Sequence, residues 1–517
     1  MTPSTHRRNQ RRQNLRRGIV SASLAAIGVL ALDPAAASAQ ESAALIDALV
    51  RKGVLTDREA EDIRTDINKD LAGTSAGKIK LSNSITELKL YGDLRIRYQY
   101  NQFDRQVDPP EVGASKLGNG DKDRSPSGEP QSRWRFRLRL NADFKLGRDW
   151  FGGVELSTAQ ASDSGNQTYE NGFDDYNIYI SRAYVGWNAA DWLTVTAGKV
   201  PNPFYSNEGL VWDTDINPTG LTESVALHKL FAPSSESGGG YSRDGKASIP
   251  PERKSSPWEI NLVAGQFIFD DNNENAFDND NATDAYLFET QLVTSYKFNK
   301  DTRLIIAPAW FTYVNGSLSG LTDAAAFNDN AAVSGATRDL NLLLLPGELA
   351  FKVAGIKTRF YWDFSYNFEG RKRVNNIYDV STLNNNLGQR SDDDVTDPDD
   401  KTWGYSPQDA YAYLVGIQLG ENKKKGDWSV LANWRQTGLG AVDPNLNDSD
   451  FANSFLNTRG LKFSFGYNFT DFAVLALTYQ HAWNLRDTLV GGQATGGNAI
   501  ANANEVQTVQ VDFNLKF

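Results

Sequence analysis

The stretch Arg133–Phe144, RWRFRLRLNADF, places Trp134, Phe136, Leu138, Leu140, Ala142 and Phe144 at every second position, with Arg133, Arg135, Arg137, Arg139, Asn141 and Asp143 between them. Successive side chains of a strand point to opposite faces, so one face of this segment is apolar and the other strongly basic. A helix would scatter the same residues around its axis. The run is also long, because strands in soluble sheets average about five or six residues while a tilted strand that crosses a bilayer needs about 9–11.

The same period recurs along the chain. Leu88, Leu90, Leu94, Ile96, Tyr98 and Tyr100 oppose Lys89, Asp93, Arg95, Arg97 and Gln99; Phe360, Trp362, Phe364 and Tyr366 oppose Arg359, Asp363, Ser365 and Asn367; Leu461, Phe463, Phe465 and Tyr467 oppose Lys462 and Ser464. Connections alternate in length as well. Short ones fall near 145–148, 189–192, 299–301, 354–355, 421–426 and 470–471. Long ones fall near 102–131, 160–177, 201–220, 270–284, 314–340, 369–409, 438–459 and 484–504. Short turns on one side and long loops on the other predict an all-β transmembrane antiparallel β-barrel over 85–517, with the turns in the periplasm. The count is about 16 strands, and the irregular stretch 221–257 allows about 14 to 18.

Residues 1–39 read as a targeting leader: six arginines precede an apolar run from Ile19 to Leu32, then Ala37-Ser38-Ala39 supplies the small residues of a cleavage site, so the mature chain is expected to start at Gln40. The leader carries six arginines against one aspartate, so its loss takes the formal charge from −11 to −16. That balance excludes a general nucleic-acid binder. There is no Cys, and the one Met is Met1, so no disulfide supports the fold. Aromatic residues make up 11% of the chain, as interfacial girdles at both strand ends require. Between the leader and the first strand, 40–84 has helical spacing (Leu45, Leu49, Val50, then Ile63, Ile67), and Thr56 with Glu59 has the spacing of a capping box. A short periplasmic helical segment follows from this.

Several pieces resemble the Putative porin family of Gram-negative outer membranes: Lys52–Thr56 (KGVLT), Tyr91–Tyr98 (YGDLRIRY), Arg133–Leu140 (RWRFRLRL), Ala183–Trp187 (AYVGW), Ala197–Phe204 (AGKVPNPF) and, most specifically, Leu210–Gly220 (LVWDTDINPTG). The resemblance implies a single-chain barrel for passive diffusion of small hydrophilic solutes, often assembled as a homotrimer in contact with outer-membrane lipid and lipopolysaccharide. It implies no particular solute and no cofactor. In outer-membrane proteins an aromatic residue closing an alternating last strand, here Val509 to Phe517, is part of the signal read by the barrel-assembly machinery.

Candidate site residues follow from the faces. Arg95 and Arg97 neighbour Arg133, Arg135, Arg137 and Arg139, giving a lumenal column of six guanidiniums. It serves either as an anion-preferring ladder, in the limit a phosphate-like anion channel, or as one half of ion pairs with facing carboxylates. Asp213, Asp215 and Asn217 lie in a loop expected to enter the pore and narrow it. The acidic runs Asp392–Asp400 and Asp270–Asp280 read as solvated loops, and no metal site is expected. His228 and His481 are the only histidines after the leader and lack metal-ligand spacing, which leaves an outer-membrane hydrolase as a remote alternative.

Overall fold

The structure, a computed structural model, describes residues 81–105, 127–158, 164–169, 175–230, 256–270, 284–314, 339–378, 405–454, 456–485 and 503–517, together with 49–50, 52, 56, 59–60 and 63. The leader 1–39 and the acidic runs beyond residue 270 lie outside the described residues, as does most of 40–84. Two units divide at Asn83 and Ser84. In the first, Glu59 N donates to Thr56 Oγ1 at 3.3 Å and Thr56 N to Glu59 Oε2 at 2.9 Å, a reciprocal cap on the turn that follows.

Among the described residues the second unit is one antiparallel sheet of 19 segments. They are β1 (Ile85–Arg105), β2 (Ser127–Leu146), β3 (Trp150–Thr158), β4 (Gln167–Thr168), β5 (Ile178–Ala190), β6 (Leu193–Lys199), β7 (Thr219–Ala226), β8 (Trp258–Asp270), β9 (Ala285–Lys297), β10 (Arg303–Ile306), β11 (Ala309–Val314), β12 (Asn341–Leu344), β13 (Gly347–Val353), β14 (Ile356–Asn367), β15 (Tyr411–Gly420), β16 (Trp428–Thr437), β17 (Thr458–Asn468), β18 (Ala473–Asn484) and β19 (Ala503–Lys516). Three spans are interrupted. β3 and β4 both pair with β2, on either side of an inserted stretch. β10 and β11 both pair with β9, and β12 and β13 both pair with β14. Joining these gives a closed barrel of sixteen spans, the expected number.

Proline explains two of the breaks, since it donates no ladder hydrogen bond. Pro308 and Pro346 sit on neighbouring spans, and their carbonyls keep the ladder going by accepting from Leu292 N and Ala307 N, each at 2.9 Å. In the stretch 221–257 the descending strand is β7, followed by the short helix α1 (Leu227–Leu230).

The two faces are inverted relative to a soluble protein. Ile180, Phe360, Phe463, Phe465, Leu477 and Phe513 are exposed, while Arg97, Glu289, Asp363 and Arg435 are buried. Apolar side chains left outward at every second position of so many strands demand a hydrocarbon solvent. Large aromatics mark both ends of this band, with Trp150 stacked on Trp187 near the turns and Trp310 on Phe368 near the loops.

β1 and β19 close the barrel in register from Asp93↔Lys516 to Asp104↔Glu505. The seam extends to Phe517, whose N donates to Gly92 O at 3.0 Å while Gly92 N donates to Phe517 O at 2.8 Å. Gly92 is required there. A Cβ on it would lie 2.5 Å from the Arg139 carbonyl oxygen and 2.7 Å from the Phe517 ring.

Candidate functional site

The β1–β2 register sets Arg95 opposite Arg137, Arg97 opposite Arg135, Asp93 opposite Arg139 and Gln99 opposite Arg133. Two directly facing Arg–Arg pairs repel, so the wall needs counter-charges. Arg97 receives two. Its Nε and Nη2 donate to Asp512 of β19 at 2.6 and 2.9 Å, and its Nη1 donates to both oxygens of Asp450 at 2.8 and 2.9 Å. Arg137 Nη2 and Arg139 Nε share Asp93 at 3.0 and 2.7 Å, and Arg137 Nη1 also reaches Asp215 at 3.2 Å. The other three differ. Arg95 donates to the amide oxygen of Asn166 at 2.5 Å, Arg135 donates to Gln99, Ser164 and the Asn166 carbonyl, and Arg133 makes no hydrogen bond or ion pair among the described residues.

Asp215 and Asp450 come from two loops that fold into the barrel. In the first, 200–218, the apolar residues Val200, Phe204, Leu210, Val211, Trp212 and Ile216 are buried against inward residues of the far wall: Phe267, Leu287, Phe311, Leu342, Tyr361 and Leu414. Polar anchors fix its position. Trp212 Nε1 donates to Glu289 at 2.7 Å, Asn207 N and Nδ2 donate to Asp363 at 3.1 and 2.9 Å, and Tyr205 N donates to Gln291 at 2.7 Å. The second loop, 438–457, adds Leu439, Val442, Leu446 and Leu456 to the same cluster. Tyr313 holds its Asp443 at 2.6 Å, and Arg435 holds its Asp448 at 3.1 Å. Val374 of the loop helix α2 (Gly370–Tyr378) is buried there too.

The two loops are built alike and lock together. Asp213 Oδ1 accepts from Asp215 N at 2.9 Å, and Asp443 Oδ1 accepts from Asn445 N at 2.9 Å, so each loop turns on an aspartate that caps the backbone two residues on. Across the junction Asp213 N donates to Leu446 O at 2.5 Å and Asp448 N to Gly209 O at 2.9 Å. Asp213 Oδ2 accepts from both Ser449 N and Oγ, at 2.8 and 2.9 Å. Burial, with Asp448 and Asp215 close by, raises the Asp213 carboxyl to about 8.

The sequence-predicted residues therefore divide. The six arginines and Asp215 come together; Asp213 instead joins the two loops. Asn217 belongs to a separate contact, accepting from Arg182 Nε at 2.8 Å and donating to Ser181 Oγ at 2.9 Å. Phe517 lies at the barrel seam. Asp448 and Asp450 were not anticipated. Their signal was Leu439–Phe451, LGAVDPNLNDSDF, whose spaced apolar residues are out of character for a solvated loop. His481 sits on the outward register of β18 with Leu475 and Leu477 and pairs with Glu505 at 2.7 Å, and His228 Nδ1 accepts from Ile260 N at 3.2 Å. No metal-binding group occurs among the described residues.

The sequence model of the family described as Putative porin matches residues 61–342. Among solved structures, the Salmonella typhi OmpF complex with daunomycin aligns at 11% identity over 85% of this chain and 100% of that chain, with a TM-score of 0.40. A mutant of the Rh. blastica porin aligns at 11% identity over 83% of this chain and 100% of that chain, with a TM-score of 0.38. The search of curated proteins gives no match. With the family match spanning more than half of its length and a sixteen-span barrel as its fold, the chain belongs to the Putative porin family.

Proposed function

We propose that this outer-membrane porin, a channel for passive diffusion of small hydrophilic solutes, prefers anions, and that Arg95, Arg97, Arg133, Arg135, Arg137 and Arg139 set the preference. The observation that carries this is incomplete neutralisation of the wall. Asp93, Asp215, Asp450 and Asp512 are engaged by Arg97, Arg137 and Arg139, whereas Arg95 bonds a neutral amide and Arg133 has no carboxylate within ion-pair distance among the described residues. A fixed charge acting through a water-filled lumen contributes about 1 kcal/mol at 4 Å, and salt weakens it. Two such charges bias permeability severalfold.

Reversal potentials of the purified protein in a salt gradient test this. Arg95→Gln with Arg133→Gln should move the potential toward cations without loss of folding, and the shift should shrink as ionic strength rises. A wild-type channel already cation-selective at low salt overturns the anion preference.

The remaining parts fit the same reading. The leader 1–39 would direct export and be removed after Ala39, leaving 40–84 in the periplasm. The loop carrying Asp213, Asp215 and Asn217 would narrow the lumen together with 438–457. Phe517 would be read by the barrel-assembly machinery, and the barrel would sit in lipid and lipopolysaccharide as a homotrimer. A hydrolase gains no support, because His481 points outward, away from the lumenal carboxylates.

A further inference from the structure

Arg97 holds its two carboxylates differently. Asp512 is fixed by strand pairing, directly across the seam from Arg97. Asp450 is delivered by a loop. Its two oxygens lie 2.8 and 2.9 Å from Arg97 Nη1, and Oδ1 also accepts from Gln510 Nε2 at 3.2 Å. Its backbone is steadied by Asp448, whose Oδ1 accepts from Asp450 N at 3.1 Å. About the carboxylate the wall presents Arg97 and the Gln510 amide, with the Asp512 carboxylate on the other edge of the same guanidinium. Burial opposes its charge, but Arg97 and then Arg95 outweigh that and hold the carboxyl well below the ordinary range. The Asp450 side chain is still 30% exposed, against 3% for Arg97, so solute in the lumen can reach it.

We infer that Arg97 with Gln510 forms a binding site for the carboxylate of a permeating organic acid, and that Asp450 fills it at rest as a tethered stand-in. The inference rests on the lumen being an anion path, and it adds the class of solute. With the Nε and Nη2 edge of Arg97 taken by Asp512, the N–H donors of Nη1 remain for the paired oxygens of one carboxylate, as they now hold those of Asp450, and a halide cannot exploit that directionality. A group tethered by a short loop competes at a local concentration in the millimolar range or above. A free carboxylate therefore enters only by displacing Asp450, and solutes without one pass by without binding.

The test uses the full-length purified barrel in planar bilayers, with sodium acetate replacing sodium chloride at constant ionic strength. Acetamide serves as the uncharged control and inorganic phosphate as the tetrahedral one. In Asp450→Ala the current should fall along a saturating acetate curve, half-saturating at least about tenfold below wild type because the tethered competitor is gone. Acetamide should have no effect. Adding Arg97→Lys, which keeps the charge and loses the planar donor geometry, should abolish saturation and leave the reversal potential in place. A linear acetate dependence in both wild type and Asp450→Ala overturns the site, and so does an unmoved half-saturation or phosphate saturating as tightly as acetate. Should Asp450→Ala not assemble, Arg97→Lys in the otherwise wild-type protein decides: loss of saturation supports the site, and its retention overturns it. A cation-selective wild type that still saturates with acetate would remove the anion preference and leave the site standing. Anion selectivity without saturation would remove the site alone.

Discussion

Replacing Trp212 with Ala should free the loop 200–218 from the wall while the barrel stays closed. Trp212 is buried among Phe267 and Phe311, with ring centroids 6.3 and 6.0 Å away, and its indole N–H is the donor to buried Glu289 at 2.7 Å. Truncating a buried Trp costs about 3–5 kcal/mol. Leaving the Glu289 carboxyl without its partner adds about 1–3 kcal/mol. None of this falls on the strand ladders, so the loss bears on docking of the loop. At about 1.4 kcal/mol per factor of ten, a loss of about 4 kcal/mol shifts the docked-to-free ratio by about a thousandfold. Mean single-channel conductance and open-channel noise should both rise, and chymotrypsin should nick the chain after Phe204 or Tyr205. Trp212→Phe keeps an aromatic ring against Phe267 and Phe311 but loses the donor and part of the ring area, so it should fall between. A folded Trp212→Ala barrel with wild-type conductance, noise and protease resistance would refute the idea that this side chain holds the loop.

The loop junction should respond to pH. The raised Asp213 carboxyl keeps its proton in the docked state up to about pH 8, while the same group in a free loop loses it near 4, so docking weakens as pH rises between those values; conductance should rise across that window and flatten in Asp213→Asn, and a variant retaining the full pH response would count against it. Deleting Phe517 removes two seam hydrogen bonds with Gly92 and the ring that covers it, so heat-modifiable folded barrel should decrease on gels, and an unchanged yield would contradict the role of this contact. Cys replacing Arg139 or Arg359 should react quickly with a membrane-impermeant thiol reagent and Cys replacing Phe360 or Phe465 slowly; equal rates would mean that the strand faces are swapped.

The barrel was readable because its signal is local. In Arg133–Phe144 each residue reports its own face, and the alternation of turn and loop lengths needs no knowledge of contacts. The rule weakens where the lumen is lined with protein instead of water. Leu342 and Leu343 are adjacent, apolar and on opposite faces, as are Tyr361 with Phe360 and Leu414 with Val415, because the inward member of each pair packs under the infolded loops. The carboxylates that meet the arginines were harder still. Asp450 is 353 positions from Arg97, and Asp215 is 78 from Arg137, so only the folding-in of two loops brings them together. The arginines could be read as a column, but not which of them would be neutralised.

The seam gives the porin an order of events. Arg97 and Asp512 are separated by 415 positions and become neighbours only when β1 meets β19, so this part of the charge pattern cannot exist in a nascent or truncated chain. A contact between such remote positions forms late, since chain entropy opposes it until the intervening strands are in place. A β1–β19 pairing displaced by one residue would turn the Asp512 carboxylate outward, against hydrocarbon, and strip Arg97 of its partner. The ion pair thus favours the one closure register in which Arg97 and Asp512 face each other across the seam.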